Sequence, residues 1–393
     1  MREIIFLGAR HACPGPLAAV PAGTRTSDST FSFLACSWSQ WSCAFCHKCA
    51  LTLILFCALW VLPALAQPPA NSAKSLQIYF IDVEGGQATL FVTPEGQSLL
   101  IDTGWPGNNN RDADRIVAAA HDVGIDKIDF ALITHYHDDH VGGAPQLAAK
   151  IPIGTFIDHG ENRETSDAIT QKDWLAYKQL LATGKYKRLI AKPGDSLPIK
   201  GIRVEVISSD GVLIEKALPG AGQPNPACAS SAPPPADKTE NPRSLGTLIT
   251  FGRLKTLDLG DLTADKEHEL MCPLNKIGTV DIYIASHHGF NQSGSAVLVH
   301  AVAPRVAIVD NGAKKGGSPS ALDIIKSSPN LTALWQLHFS EQAGLAHNTA
   351  LEFIANSSGP DAANYLKLTA NPDGAISVFN SRTKQSQNYV AAH

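Results

Sequence analysis

The chain has 393 residues, 44% hydrophobic and 17% charged, with 32 Lys+Arg against 36 Asp+Glu and a formal net charge of −4. That composition excludes a disordered or fibrous protein and suffices to bury a large core. A slightly acidic chain carries no global basic footprint for nucleic acid. With only Cys228 and Cys272 beyond residue 66, no disulfide framework holds the fold.

In chain order, the first feature is an apolar run from Leu51 to Leu62, preceded by Lys48 and followed by Ala64-Leu65-Ala66. The run is short for a membrane span, and small residues stand at 64 and 66. Residues 1–66 therefore read as an N-terminal extension with a secretory signal peptide cleaved after Ala66, a retained anchor being the alternative. The mature protein is expected to be secreted or periplasmic, with no stable membrane span after processing. Cys43, Cys46 and Cys49 have cluster-like spacing, but they abut the apolar run and no fourth ligand sits at suitable spacing. Cys228 and Cys272 allow one bridge in an oxidising compartment.

Residues 67–393 read as one domain. Leu76–Asp82, Ala88–Val92 and Ser98–Asp102 are short strands separated by glycine-rich or Pro-Glu-Gly turns. Arg111–Gly124, apolar at Ile116, Ala119, Ala120 and Val123, is an amphipathic helix. Strand Ile128–Thr134 follows, then a helix near 145–150, strand Gly154–Asp158, a helix over 166–183, and strands at 188–191 and 202–207. Residues 217–241, rich in Pro, Gly and Ser, hold no regular element by composition and are expected to be a disordered exposed insertion, an active-site lid being the alternative. Strands at 245–251 and 254–259, a helix at 264–271 and a strand at 282–285 come next. A strand at 305–309, a helix at 318–325, a strand at 333–337, a helix at 348–354 and a hairpin turning at 371–374 complete the chain. Two strand-rich halves with helices outside give an α/β fold, a four-layer αβ/βα sandwich with sites at the strand ends.

The chemistry concentrates in His135-Tyr136-His137-Asp138-Asp139-His140. Three imidazoles and two carboxylates stand there at the end of an apolar strand, and Val141-Gly142-Gly143 lets the chain swing into a helix. In such a turn His135 and His137 point one way, while Asp139 and His140 reach a second point a few ångströms off, which suits two neighbouring metal ions. Nitrogen and oxygen donors suit zinc best, with iron or manganese as alternatives.

The His-x-His-x-Asp-His signature resembles the metallo-β-lactamase-fold hydrolases. Leu100-Ile101-Asp102-Thr103-Gly104 before it, and Leu259-Gly260-Asp261 and Ser286-His287-His288-Gly289 after it, occur in that family's order. The resemblance covers about residues 76–382. The Phe80-Ile81-Asp82-Val83 entry strand followed by Gly85-Gly86, with the His-His-Gly segment, most resembles the soluble metallo-β-lactamase-like domain of bacterial DNA-internalisation competence proteins. Phosphorylcholine esterases share these features.

By position, the resemblance implies that His135 and His137 hold a first metal and Asp139, His140 and His287 a second, with Asp261 bridging the two. His288 is then free for substrate or proton contact, although the sequence leaves open which of His287 and His288 is the ligand. Asp102 orients a ligand histidine, and Tyr136 and Asp138 point away. The strand ending at Val206-Ile207-Ser208-Ser209-Asp210 lacks the third histidine many members carry. His159 is the candidate replacement and Asp210 a lesser one.

The implied activity is a zinc hydrolase, with two ions lowering the pKa of a shared water and Asp139 or Asp261 taking the proton. A phosphoester or phosphodiester small molecule is the favoured substrate. β-Lactam or lactone hydrolysis and a metal-binding module without turnover are the alternatives. Nucleic acid is the less favoured partner, because no basic, aromatic-interleaved segment occurs.

Overall fold

Strand alternation determines the architecture. In the computed structural model, which describes residues 75–391 apart from 358 and 360, β1 (Leu76–Phe80) sends Leu76, Ile78 and Phe80 into one core and Tyr79 into another. Successive strand residues point to opposite faces, so a strand apolar on both faces must be covered on both. The expected extension and signal peptide, residues 1–66, lie outside the described residues.

The first half continues through β2 (Thr89–Val92), β3 (Ser98–Ile101), α1 (Arg111–Asp122), β4 (Ile128–Leu132), α2 (Asp138–Val141), α3 (Ala144–Ala148), β5 (Ile153–Asp158), α4 (Ala168–Ala182) and β6 (Lys187–Ile190). The second half contains β7 (Ser196–Leu197), β8 (Arg203–Ser209), β9 (Val212–Leu213), β10 (Gln223–Pro224), β11 (Gly246–Phe251) and β12 (Leu254–Asp258). It goes on through α5 (Ala264–Met271), β13 (Leu274–Asn275), β14 (Ile282–Ile284), α6 (Ala296–Val302), β15 (Val306–Val309), α7 (Pro319–Lys326), β16 (Ala333–His338), α8 (Gly344–His347) and β17 (Ile354–Asn356). Finally β18 (Leu366–Ala370), β19 (Ile376–Asn380) and β20 (Gln385–Tyr389) return to the first sheet.

One sheet runs β20-β19-β18-β1-β2-β3-β4-β5-β6 and the other β17-β16-β15-β14-β12-β11-β8-β7, with β9 on β8. Their facing sides share a core in which Ile78, Phe91 and Leu132 pack with Val206, Ile249, Ile282 and Ile308. Outside, α1 and α4 cover the first sheet with Ile116, Ala120, Trp174 and Tyr177, while α5, α6 and α7 cover the second with Leu270, Leu298 and Leu322. This is the αβ/βα sandwich expected from the motifs. Each fully buried Leu, Ile or Phe contributes roughly 1.5–3 kcal/mol, so the strand ends are held on a rigid base. β3 to β6 are mutually parallel, as are β12 and β14 to β17. In such sheets ligand sites lie beyond the carboxyl ends of the strands, which is where the motif loops fall.

Three expectations need correction. Residues 217–241 are ordered, because β10 pairs with β13, Cys228 is bonded to Cys272, and buried Asn225 donates to the carbonyls of Met271 and Val297 at 3.2 and 2.9 Å. Residues 348–354 are not an α-helix and hold only a single 3-10 turn, Leu351–Phe353. The Asn348 amide donates to the carbonyls of Ser340 and Gly344 and turns the chain out, so Ile354–Asn356 can pair with β16. Helix α6, absent from the expected elements, is capped by Ser295, whose side chain accepts from Leu298 N.

Asn225→Ala strands two buried carbonyls. It is expected to lower stability by about 2–3 kcal/mol, measured as a lower urea midpoint; an unchanged midpoint would mean that the insertion folds independently of α5 and α6.

Candidate metal centre

The site assembles where four loops leave parallel strands. After β4, Thr134 donates from its backbone N and its Oγ1 to Asp102, at 2.8 and 2.7 Å, so the carboxylate ending β3 anchors the start of the motif loop. Opposite, Gly260 takes φ +55°, and a Cβ there would lie 2.8 Å from Thr134 Cβ. Only glycine permits this approach, which presents Asp261 to the motif loop. After β14, His287 and His288 adopt φ of 55° and 53°. Two residues that would face opposite ways on a strand are both turned toward the cluster, in the left-handed backbone that functional sites retain at an energetic cost.

The hydrogen bonds fix which nitrogen of each imidazole carries its proton. His140 Nδ1 donates to Asp102 at 2.7 Å, and His137 Nε2 donates to Glu164 Oε2 at 2.9 Å. Thr134 Oγ1 uses its own proton on Asp102 and accepts from His135 Nδ1 at 3.1 Å. His288 Nδ1 faces Asp310 Oδ1 across 3.4 Å, and neither atom has another partner. In the neutral form of each ring the other nitrogen is then the one that carries the lone pair.

Those lone pairs face one another. His135 Nε2 lies 3.0 Å from His137 Nδ1, and His140 Nε2 lies 3.1 Å from His288 Nε2. Asp139 Oδ2 stands 3.3 Å from His140 Nε2 and 3.0 Å from His288 Nε2. Asp261 Oδ2 is 3.3 Å from His140 Nε2, 3.5 Å from His287 Nε2 and 3.9 Å from His135 Nε2, and its buried Oδ1 has no hydrogen-bond partner. Acceptors facing acceptors at 3 Å cannot hydrogen-bond. A divalent cation bound by nitrogen and oxygen at about 2 Å satisfies them, with the outer carboxylates fixing the tautomers. Asp139, His140, Asp261 and His288 form one such set, and all are at most 5% exposed.

The buried carboxylates draw positive charge into the cluster: although burial opposes it, Asp261, Asp139 and Asp102 raise His140 well above its ordinary value, and Asp261, Asp310 and Asp139 raise His288 to about 9. Burial opposes ionisation of Asp139, yet Lys315 and His140 hold its carboxyl well below the ordinary carboxylate range. Burial likewise opposes Asp261, which His140, His287 and His288 hold far down. Burial and the neighbouring imidazoles push His135 well below its ordinary value, so it stays neutral and able to donate a lone pair.

The expected residues are distributed unevenly. His288, not His287, places its Nε2 in the Asp139–His140 set; His287 has its Nδ1 3.3 Å from Ser293 Oγ and its Nε2 3.5 Å from Asp261 Oδ2. His159 does not approach the histidine pair. Its Nε2 lies 3.0 Å from Glu240 Oε2 and its ring packs on Tyr136, so a carboxylate from the ordered end of the insertion has drawn it away. Asp210 is engaged by Arg163. Tyr136 points away from the cluster into the buried layer beside Trp174, its hydroxyl donating to Gly160 O at 2.7 Å.

Glu164, Glu240, Asp310 and Lys315 complete the surroundings. Glu164 and Glu240 have no sequence signal, because their roles depend on loops meeting in space. A second metal-capable group, Asp82, Glu84 and His338, is already saturated at Asp82 by Arg115, His338 and Glu84 N.

Residues 82–266 match the model of the metallo-beta-lactamase superfamily. The chain is 24% identical over 273 residues to recombination protein 2 of Haemophilus influenzae, covering 67% of this chain and 27% of that protein. It is 26% identical over 196 residues to ComE operon protein 3 of Bacillus subtilis, covering 48% of this chain and 20% of that one. The matched stretch thus spans about a quarter of these relatives or less. Among solved structures, it is similar to the metallo-beta-lactamase fold protein YhfI of Bacillus subtilis, with a TM-score of 0.41 and 13% identity over 67% of this chain and 95% of that one.

Removing the acceptor of His137 Nε2–H by Glu164→Ala is expected to weaken zinc at the His135–His137 pair by about ten- to hundredfold. The other set should keep its affinity. Zinc titration against a chromogenic chelator separates the two, and an unaltered isotherm would remove Glu164 from the centre.

Proposed function

Because residues 82–266 match the model of the metallo-β-lactamase superfamily, we propose that this protein is a metal-dependent hydrolase with two zinc positions, acting on phosphoester or phosphodiester bonds. The observation that carries this reading is the convergence of tautomer-locked imidazole lone pairs with Asp139 and Asp261. His135 and His137 are the donors of the first position, and Asp139, His140 and His288 those of the second. Asp261 reaches toward both. His287, rather than His159, is the candidate third imidazole of the first position, since it lies beside Asp261 Oδ2.

Metal held there supplies Lewis acidity and a water whose pKa falls near neutrality. The protein's own groups do the rest. Asp102, Glu164, Thr134 and Asp310 hold each imidazole in the tautomer that leaves its inner nitrogen free. Asp139 or Asp261 would take the proton that such a water gives up. Lys315, in contact with Asp139 and over the Trp105 ring, gives the cleft a positive group suited to an anionic substrate.

The Asp82 to Gly86 entry and the partial matches to two bacterial competence-type proteins support a relationship to their soluble domain. They do not carry those proteins' biology to this chain. The Cys228–Cys272 bond supports placement in an oxidising compartment, secreted or periplasmic. Among the described residues no helix is long and apolar enough to cross a membrane.

Chelation is expected to abolish turnover of bis-p-nitrophenyl phosphate, and added zinc to restore it. Asp261→Ala should lower kcat by about a hundredfold or more, because it removes a donor shared by both positions. Nitrocefin turnover without phosphodiester turnover would move the protein to the β-lactam class. Silence on both substrates with zinc bound would make it a binding module.

A further inference from the structure

Lys315 has three partners. Its Nζ touches Asp139 Oδ2, donates to Gly85 O at 2.7 Å, and lies 4.9 Å from the centroid of the Trp105 ring. The loop that carries it is built to come this close. Gly312 N donates to Lys315 O at 2.8 Å, Gly317 N donates to His288 O at 2.8 Å, and Gly316 at φ +74° presses against the His288 backbone where a Cβ would collide. The side chain is 28% exposed, so it borders the open cleft.

Asp139 Oδ2 also faces His140 Nε2 and His288 Nε2, at 3.3 and 3.0 Å. It is the one oxygen common to the lysine and to the second metal position. Two cations on one carboxylate oxygen repel each other in a buried site.

Resting on the two-position reading above, we infer that Lys315 is a specificity-determining residue with two seats. Without metal its ammonium sits on Asp139. Loading of the second position displaces it from Asp139 while it keeps the Gly85 carbonyl and the Trp105 face, and the freed ammonium binds an anionic oxygen of the substrate's phosphoryl group. The second seat is already present: the carbonyl accepts a hydrogen bond and the indole offers a cation–π face, so release from Asp139 leaves the ammonium partnered. Metal loading thus places a positive charge at the cleft, beside Trp105.

The test uses the full metal-free chain as wild type, Lys315→Met and Lys315→Arg, first titrated with zinc and then, zinc-loaded, with inorganic phosphate. Lys315→Met is expected to tighten zinc at the Asp139–His140–His288 position, the class that Glu164→Ala leaves unaltered, about tenfold or more and to leave the His135–His137 class unchanged. The same variant should weaken phosphate about tenfold, whereas Lys315→Arg keeps wild-type phosphate affinity within about threefold. An unchanged zinc isotherm in Lys315→Met overturns the competition for Asp139, and unchanged phosphate affinity overturns the anion-binding role. A circular-dichroism spectrum matching wild type assigns either change to the site rather than to misfolding. If wild type binds no zinc, the metal reading fails, and this inference with it.

Discussion

The structure depends on proton placement. Four imidazoles each give a proton to, or aim one at, an outer oxygen: Asp102, Glu164, Thr134 or Asp310. An imidazole has two nitrogens and, when neutral, one proton, so fixing the outer nitrogen as donor makes the inner one an acceptor. Four such rings in a buried space then bring lone pairs together, an arrangement a folded chain does not maintain unless something positive belongs between them. The outer oxygens matter as much as the rings they hold, since without them the same histidines could rotate or change tautomer and hydrogen-bond to one another.

The fold supplies the placement through strand ends. Asp102, the motif loop, Asp261, the His287–His288 turn and Asp310 all follow parallel strands, and the two sheets bring those ends together because their inner faces share one apolar core. Side chains on a strand alternate between faces, so a dense site cannot be built within strands that must pack on both sides. It has to be built just beyond them, in loops free of the alternation. Gly260 allows one loop to touch the other, and the consecutive left-handed histidines place two rings where a strand would place one.

Much of this was legible in the sequence. The strands around the motif, the amphipathic helix at Arg111–Asp122 and the donors His135, His137, Asp139, His140 and Asp261 all stand in patterns that local spacing and strand period reveal. What was not legible depends on distant segments meeting. Glu240 is an unremarked carboxylate at the end of a Pro-rich stretch, yet it is fully buried and holds His159, while its backbone N donates to the same Glu164 oxygen that holds His137. Composition made residues 217–241 look disordered because it registers the missing helix and strand propensity and not the side-chain bonds of Asn225 or the Cys228–Cys272 link. The choice between His287 and His288 turns on two φ angles, which no residue identity dictates.

The charge balance of the strand ends favours positive charge between the rings. Asp82, Asp102, Asp139, Asp258, Asp261 and Asp310 are all buried there. Burial and the nearby Asp102 and Asp310 carboxylates push Asp258 up to about 7, although Gly260 N and Gln87 donate to it. That carboxyl can therefore shed its charge near neutrality by taking a proton. Arg115 answers Asp82, and Lys315 answers Asp139. Among the described residues only imidazoles face Asp261, and without metal it is their positive charge that holds its carboxyl down. Buried charge left unbalanced is costly. Either the imidazoles take protons and lose their donor nitrogens, or a divalent cation neutralises Asp261 and fills the space between the rings. The outer carboxylates make the inner nitrogens more basic, which strengthens them as donors to a cation and, in its absence, holds His140 well above its ordinary value.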